Sequence, residues 1–580
     1  MRKLFPFLII ILAIYVYSCA NPGSPTGGPK DTIPPSLVKS IPENQTTNYR
    51  GKEFRFEFDE RIDASKLKRQ LIITPIIENN FKMRVKKNQL FMEFEKDFED
   101  STTYTFNFAD GVVDVTEKNP VPNFSIAFST GPHLDSISIS GQIKELYTDK
   151  KSKKATVALY NVNDTLDILT GKPRYFAQTD TSGFYQINNI KNGYYRIYAF
   201  EDANNNLTCQ PDEEAHGFLK DSIDLTHNQE AVDIRIQLLN IKELELVRSK
   251  KTGQYFDVLY SKEIISYDIQ KLNPEHKLPI PPNNLIKGKS TLRFYYDQRF
   301  RYDLDSIPLL IQTTDSVYNS IEDTVYVQFS ESKRKPETLN TSLNPKDKTQ
   351  IEEQFQMKMS FTKPITQYYL DSMTYQFDTL YKYTIVDSVI TWNDNLTEFT
   401  INNELDKNWF QIQIDSIMNT LVDTSLLSQD SLEIDSVTAV KIKYLENIKT
   451  DQTYFNFRAG SFISIDQDTV EQITRIYTFK NPENYGTISG TVNTSRENYT
   501  LELIDNQFKV HDQIKNATKY QFRNVRPGKY SFRIKIDSNN DGRWTHGNMT
   551  LGIEPEEIYF YSETFDVRAN WTLENIDISF

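Results

Sequence analysis

Two polar stretches carry residue types at a spacing suited to holding a metal ion. In DANNNLTCQPDE (202–213), Asp202, Asn204 and Asn206 stand at positions 1, 3 and 5, and Glu213 at position 12. A calcium loop supplies its hard oxygen donors from those positions. DSNNDGRWTHGN (537–548) repeats the pattern with Asp537, Asn539 and Asp541 and places Gly542 sixth, where the loop needs a sharp turn. Each copy departs from the pattern once. Leu207 takes the glycine position in the first, and Asn548 takes the terminal acid's position in the second. Neither stretch is flanked by helical text. A polar turn whose Asn and Asp side chains satisfy backbone N–H groups explains the same residues. Structural Ca²⁺ is therefore the metal expectation, and no cofactor is required for chemistry.

The remaining reactive residues do not assemble into a recognisable site. The six histidines, His133, His216, His227, His276, His511 and His546, are scattered, with no H-E-x-x-H pair, whereas a catalytic zinc needs clustered ligands. No G-x-S-x-G elbow or Walker A loop occurs. Asp415, Asp423, Asp430, Glu433 and Asp435 could imitate the carboxylate pair of a glycosidase. They alternate with apolar residues, as a solvated strand face would. Trp392, Trp409, Trp544 and Trp571 could stack on sugars, although aromatic residues in a β-protein more often fill cores. No catalytic residue is assigned.

The elements that position these residues begin with an export signal. Arg2 and Lys3 precede the apolar run Leu4 to Ala13, and Val16-Tyr17-Ser18-Cys19 closes it. The run is short for a membrane-spanning helix. A small residue before a cysteine at this place resembles the bacterial lipobox, which implies removal of residues 1–18 and a diacylglycerol on Cys19. Ala20, rather than an aspartate, follows the cysteine, which within lipoproteins implies the outer membrane, on its cell-surface or periplasmic face. Residues 19–32, rich in Pro, Gly and Ser, read as a flexible tether. Cys209 is the one other cysteine, so an acylated Cys19 leaves no intramolecular disulfide and no multi-cysteine metal site.

The formal charge is −13, and removing Arg2 and Lys3 with the signal makes it −15. Such a surface, taken as a whole, repels nucleic acid and anionic lipid headgroups. The 33 tyrosines and 36 phenylalanines favour strands. Alternation of period two marks half-buried antiparallel strands, as in Phe54, Phe56 and Phe58, or Tyr104, Phe106 and Phe108. Long amphipathic helical runs are not evident, and DASKLKRQL (63–71) reads as one short helix.

The chain also repeats itself. YTFNFADG (104–111) recurs as YFNFRAG (454–460), and ISGQI (139–143) as ISGTV (488–492), with Gly111 to Gly460 and Ile139 to Ile488 both 349 residues apart. NNIKNGYYRIYAFEDANNN (188–206) matches RNVRPGKYSFRIKIDSNND (523–541). A third echo joins FDERI (58–62), YSKEI (260–264) and FTKPI (361–365). The expected fold is all-β, with tandem antiparallel sandwiches and a duplicated two-domain unit. The divisions are 33–132, 136–239, a middle β-domain at 240–335, 336–483 with insertions between about 367 and 440, and 485–580.

The segments 33–132 and 336–483 resemble bacterial Ig-like domains of surface-layer proteins, through Pro34-Pro35, FDERI and FSIAFSTG (124–131). The segments 136–239 and 485–580 resemble the carboxypeptidase-regulatory-like, or prealbumin-like, sandwich through SGQI and TDTSGFYQINNIKNGYYRIYAFED. The tether is similar to the start of bacterial Ig-like-domain lipoproteins. These likenesses imply architecture and location, not catalysis. The expectation is a non-enzymatic outer-membrane lipoprotein that presents protein-interaction modules. Its anticipated partner is an integral outer-membrane β-barrel with its assembly or secretion complex. Capture of surface glycan or polysaccharide is the alternative.

Overall fold

The computed structural model describes residues 31–580 except 78–79, 123, 287, 301–305, 331–334, 377–381, 406, 428–435 and 449–450; the side chains of 407–410 and 422–427 are likewise outside the description. The expected signal, Cys19 and the expected tether up to residue 30 lie outside the described residues. The chain divides into two compact units. The first comprises residues up to 238 without the short segments 147–149 and 211–213, and the second comprises those segments and 239–580.

The first unit opens with a sandwich. Strands β1 (Leu37–Ile41), β2 (Glu53–Phe58), β5 (Phe81–Lys86) and β6 (Gln89–Phe94) form one sheet in the order β1-β2-β6-β5. The facing sheet is β4-β7-β9, from Ile72–Thr74, Thr103–Asn107 and Ser125–Ser129. A two-stranded ribbon, β3 (Ile62–Asp63) with β8 (Val113–Asp114), closes one side. Period-two alternation sends Phe54, Phe56, Phe58, Phe106 and Phe128 into one core, all at most 1% exposed. Their rings meet edge-on or tilted, as between Phe54 and Phe128 at 5.1 Å, which suits the ring quadrupoles. The helix expected near 63–71 forms as a single turn, α1 (Leu67–Gln70).

The echo FDERI, YSKEI and FTKPI has a structural cause. In each copy the first residue of the motif donates to one carbonyl, and the residue four on donates to the preceding one. Phe58 N reaches Asn88 O and Ile62 N reaches Lys87 O; Tyr260 N reaches Ser290 O and Ile264 N reaches Lys289 O; Phe361 N reaches Thr397 O and Ile365 N reaches Leu396 O. The receiving turn has a left-handed residue each time, Lys87, Lys289 and Leu396, with φ of 57°, 64° and 53°. Residues 240–330 and 339–480 therefore repeat the first sandwich. The middle copy pairs Leu246–Thr252, Tyr255–Tyr260, Thr291–Tyr295 and Asn283–Ile286 in the same order, over a three-stranded sheet. The last copy does so with Thr341–Asn344, Gln354–Phe361, Glu398–Glu404 and Ile390–Trp392.

The other module type is built from sheets β13-β10-β17 and β12-β11-β14-β15, with β16 also pairing β14; β10 spans Ile137–Glu145, β11 Thr156–Asn161, β12 Tyr175–Gln178, β13 Phe184–Ile190, β14 Gly193–Phe200, β15 His216–Phe218, β16 Ile223–Leu225 and β17 Ile234–Ile236. Residues 486–580 reproduce this order, except that the strand parallel to the I-S-G strand is split into Thr572–Leu573 and Ile578–Ser579. The repeated I-S-G has a steric reason. A Cβ on Gly141 would lie 2.0 Å from Val232 O, and one on Gly490 would lie 2.0 Å from Ile576 O. Those same carbonyls accept from Tyr185 Oη at 2.8 Å and Tyr520 Oη at 2.5 Å. Each glycine admits a returning segment that its tyrosine then holds.

One feature differs from the sequence reading. The insertion in the last Ig-like copy forms helices Lys407–Leu427 and Ser436–Glu446. Ile414 and Leu445 are buried in that domain's core, with Ile417, Met418 and Leu421 packed against it. The spacing 414, 417, 418, 421 is a helical face. Among the described residues no helix is long and apolar enough to cross a membrane.

Candidate functional site

The two Asp/Asn loops follow the long strands Gly193–Phe200 and Gly528–Ile536, and their backbones fold alike. In the first, Asp202 Oδ1 and Oδ2 accept from Asn206 N (3.0 Å) and Leu207 N (3.0 Å). Asn204 Oδ1 accepts from Asn206 N (2.9 Å), and Asn206 Oδ1 from Thr208 N (2.8 Å). In the second, Asp537 accepts from Asp541 N (3.2 Å) and Gly542 N (2.8 Å), Asn539 from Asp541 N (2.9 Å), and Asp541 from Arg543 N (2.8 Å). The sixth position is left-handed in both, Leu207 at φ 62° and Gly542 at φ 85°. Leucine there is strained where glycine is not.

Glu213 is exposed. The carboxylate that closes the first loop is Glu214, which is buried and accepts from Ala203 N and Gln210 N, both at 2.9 Å. Glu556 plays that part in the second loop, accepting from Ser538 N (2.8 Å), Asn539 N (3.1 Å) and Thr545 N (2.8 Å). Sequence spacing missed both. Glu214 hides beside another glutamate, and Glu556 lies nineteen residues after Asp537, at no motif distance. Asn548 is buried and turns its amide to Val317 O at 2.8 Å. A carboxylate carries about four lone-pair positions, and each Asp202 oxygen spends one on the backbone, so capacity for a hard cation remains.

Among the described residues no group of three or more His, Cys, Asp or Glu is arranged to hold a metal ion. His216 is buried against Glu214 O (3.0 Å), and burial holds its imidazole below the usual range. His546 is held low by burial and by Lys535, and His511 pairs with Asp505 at 2.9 Å. Asp415 is exposed on the first long helix and accepts from Gln411 Nε2 at 3.0 Å. Asp430, Glu433 and Asp435 lie outside the described residues, as do the side chains of Asp423 and Trp409. Trp392 packs among Phe361, Tyr368 and Phe399, and Trp544 donates to Glu557 O at 3.3 Å. Trp571 is 55% exposed beneath the Arg568 guanidinium.

A second polar locus emerges only from comparing the Ig-like copies. The middle residue of FDERI, YSKEI and FTKPI is Glu60, Lys262 or Lys363. Lys262 pairs with the buried Asp315. Lys363, 2% exposed, bonds Asp466 (2.8 Å) and Asp468 (2.9 Å). Tyr255 of the middle domain donates to Asp466 Oδ2 at 2.6 Å, and burial and that bond raise its phenol. The desolvation felt by Asp468 is outweighed by hydrogen bonds from Ser464, Lys363 and Leu339 N, which hold its carboxyl below the usual range. Glu60 instead faces carboxylates: burial, then Asp114, Asp31 and Asp59, push its carboxyl up. This locus braces the middle and last Ig-like domains against each other.

Residues 31–130 match the family model of the bacterial Ig-like domain. The chain is thus an all-β string of sandwiches that carries a bacterial Ig-like domain at its front. No curated protein matches it. Among solved structures, an L,D-transpeptidase from Mycobacterium smegmatis is similar at 12% identity and TM-score 0.13, over 22% of this chain and 56% of that one. The chain thus spans little more than half of that enzyme. BcpA, the major pilin subunit of Bacillus cereus, is similar at 11% identity and TM-score 0.12, over 77% of this chain and 99% of that one. The surface-layer protein SbsC, domains 1–6, is similar at 8% identity and TM-score 0.14, over 92% and 67%.

Proposed function

We propose that this chain is a non-enzymatic, cell-surface interaction protein, anchored to the bacterial outer membrane by lipid on Cys19. Its partner is an integral β-barrel of that membrane with its assembly or secretion machinery. The observation that carries the interaction reading is the treatment of edge strands. Val510–Lys515 lies at the edge of its four-strand row, and five of its six residues are exposed. Leu246–Thr252 is likewise an edge strand with six of seven residues exposed. Such strands offer unpaired backbone groups to a partner strand or loop. The bacterial Ig-like match fits this setting, and buried charges such as Lys363 are spent on ion pairs that join domains.

The test is affinity purification of the tagged, detergent-solubilised protein after mild crosslinking. Co-purification of a β-barrel is expected, and recovery of the protein alone overturns the partner. The anchor has its own readout. The mature N-terminus carries a diacylglycerol mass, and Cys19→Ala moves the protein out of the membrane fraction.

A further inference from the structure

We propose that the outer face of the β1-β2-β6-β5 sheet, with the adjoining helical turn α1, is a docking face for anionic phospholipid headgroups. In a chain of charge −13, residues 64–92 hold seven Lys or Arg against one acid, Glu78. Folding gathers these cations. Strand β5 exposes Lys82, Arg84 and Lys86, its turn exposes Lys87, and Lys66, Lys68 and Arg69 are exposed around α1. Lys68 Nζ lies 5.8 Å from the Phe81 ring, which ties the helical turn to the start of β5. Cross-strand register then places Arg84, Phe91, Arg55 and Ile41 in one row. The Arg84 and Arg55 guanidiniums sit 5.2 and 5.4 Å from the Phe91 ring centroid. A groove of about 580 Å³ runs over this row, lined by Arg55, Lys82 and Arg84 together with Glu53 and Glu93, so cations outnumber acids along it, and Ile41 beside it is 46% exposed.

The sister domains show that the Ig-like fold does not need these charges. At the positions of Arg55 and Phe91 the middle domain has Asp257 and Arg293, joined in a two-pronged ion pair of 2.7 and 2.9 Å. The last copy has Lys358, neutralised by Glu398 at 2.8 Å, and its matching hairpin, 390–404, contains no Lys or Arg. In the first domain Arg55 is 3.6 Å from Glu57. Among the described residues none of the seven cations on β5, its turn and α1 has a carboxylate at ion-pair distance. Lysines that blunt an edge strand explain part of β5, but not the turn of α1 or the Arg–Phe–Arg row.

The occupant follows from charge and from chain length, and it rests on the lipid-anchor reading above. Cys19 is twelve residues before Asp31, a span of at most about 40 Å when extended. The first sandwich is the domain held nearest the bilayer, and that tether lets its face settle there. The two chains of a diacylglycerol hold the chain to the bilayer, and a basic surface adds electrostatic attraction that sets which face of the first domain meets the headgroups. Phosphate headgroups complement the cations, while Phe91 and Ile41 suit the interfacial layer.

The experiment uses the full-length chain with Cys19→Ser, purified without lipid, so that binding reports the face and not the anchor. Co-sedimentation with vesicles containing phosphatidylglycerol is expected, with little binding to phosphatidylcholine alone and release as salt rises. Lys82→Glu, Arg84→Glu and Lys86→Glu together should lower binding at least tenfold, with an unchanged circular dichroism melt. The neutral set Lys82→Gln, Arg84→Gln and Lys86→Gln should lower it less. Reversing the exposed Lys153, Lys154 and Lys172 of the following module should leave binding intact. Equal loss from that control, equal binding to both vesicles, or binding only to polyglutamate or to lipopolysaccharide-doped vesicles overturns the proposal. The acyl mass of native Cys19 decides the anchor separately.

Discussion

Lys363 shows how much one side chain can hold. Its ammonium and Asp466 are each 3% exposed, and Asp466 also receives the Tyr255 hydroxyl. Removing one partner of a buried pair leaves a charge without compensation and costs about 3–5 kcal/mol. Lys363→Ala should therefore lower the denaturant midpoint strongly, whereas Lys358→Ala, whose ion pair is 44% and 34% exposed, should cost under about 1 kcal/mol. The pH dependence has opposite signs at this locus in the last copy and in the first. The depressed carboxyl of Asp468 contributes stability above the usual carboxylate range that is lost as pH falls through its folded value. The raised carboxyl of Glu60 contributes stability that is lost as pH rises through its folded value. Glu60→Lys should supply the ammonium its sisters have, raise stability by about 1 kcal/mol at neutral pH, and reverse that local slope in melts at pH 4 and 7. The paired loops give a residue-scale test of the metal expectation. With two carboxylates and two amides, the first loop should bind Ca²⁺ only weakly, with Kd of order 10⁻⁴–10⁻³ M. Millimolar Ca²⁺ should raise the melting temperature, and Asp202→Ala with Asp537→Ala should remove the increment. An unchanged melt leaves the loops as hydrogen-bonded turns.

At the scale of elements, strands were legible because alternation of Phe and Tyr with charge survives any sequence drift that keeps one face on a core. Repeated glycines and motif ends were legible too, since Gly141 and Gly490 sit where any side chain would collide with backbone. The helices of 407–446 were not. Ile414, Ile417, Met418 and Leu421 have helical spacing, but they are diluted by Asp, Ser and Thr, which favour turns in isolation. Tertiary burial, not propensity, makes this helix. Ile414→Ala should cost about 2–4 kcal/mol, while Ile412→Ala, at a position 60% exposed, should be nearly neutral in the same urea titration. Equal costs would mean that the helix packs by another face. Glu214 and Glu556 stayed hidden for a different reason: a loop-closing carboxylate is fixed in space by the backbone N–H groups it meets, not by a constant number of residues.

At the scale of the molecule, each module has its own main cluster of buried apolar side chains, so stability is divided among separate cores. The Phe-rich core of the first sandwich and the core around Ile139 and Tyr185 belong to the first unit; those around Phe355, Val258 and Phe532 belong to the second. A chain with several cores is not expected to unfold as one two-state system, and domains of this size can melt as units of their own. Calorimetry should accordingly resolve at least two transitions. Glu60→Lys lies in the first unit and Lys363→Ala in the second, so each should move a different transition and leave the other within a degree or two. Movement of every transition by Lys363→Ala would show that the units share their stability. It would also turn the buried lysine from a local brace into the keystone of the whole chain. The distinction bears on the proposed role, because a protein that holds binding surfaces near a membrane can present them independently only if its units fold independently.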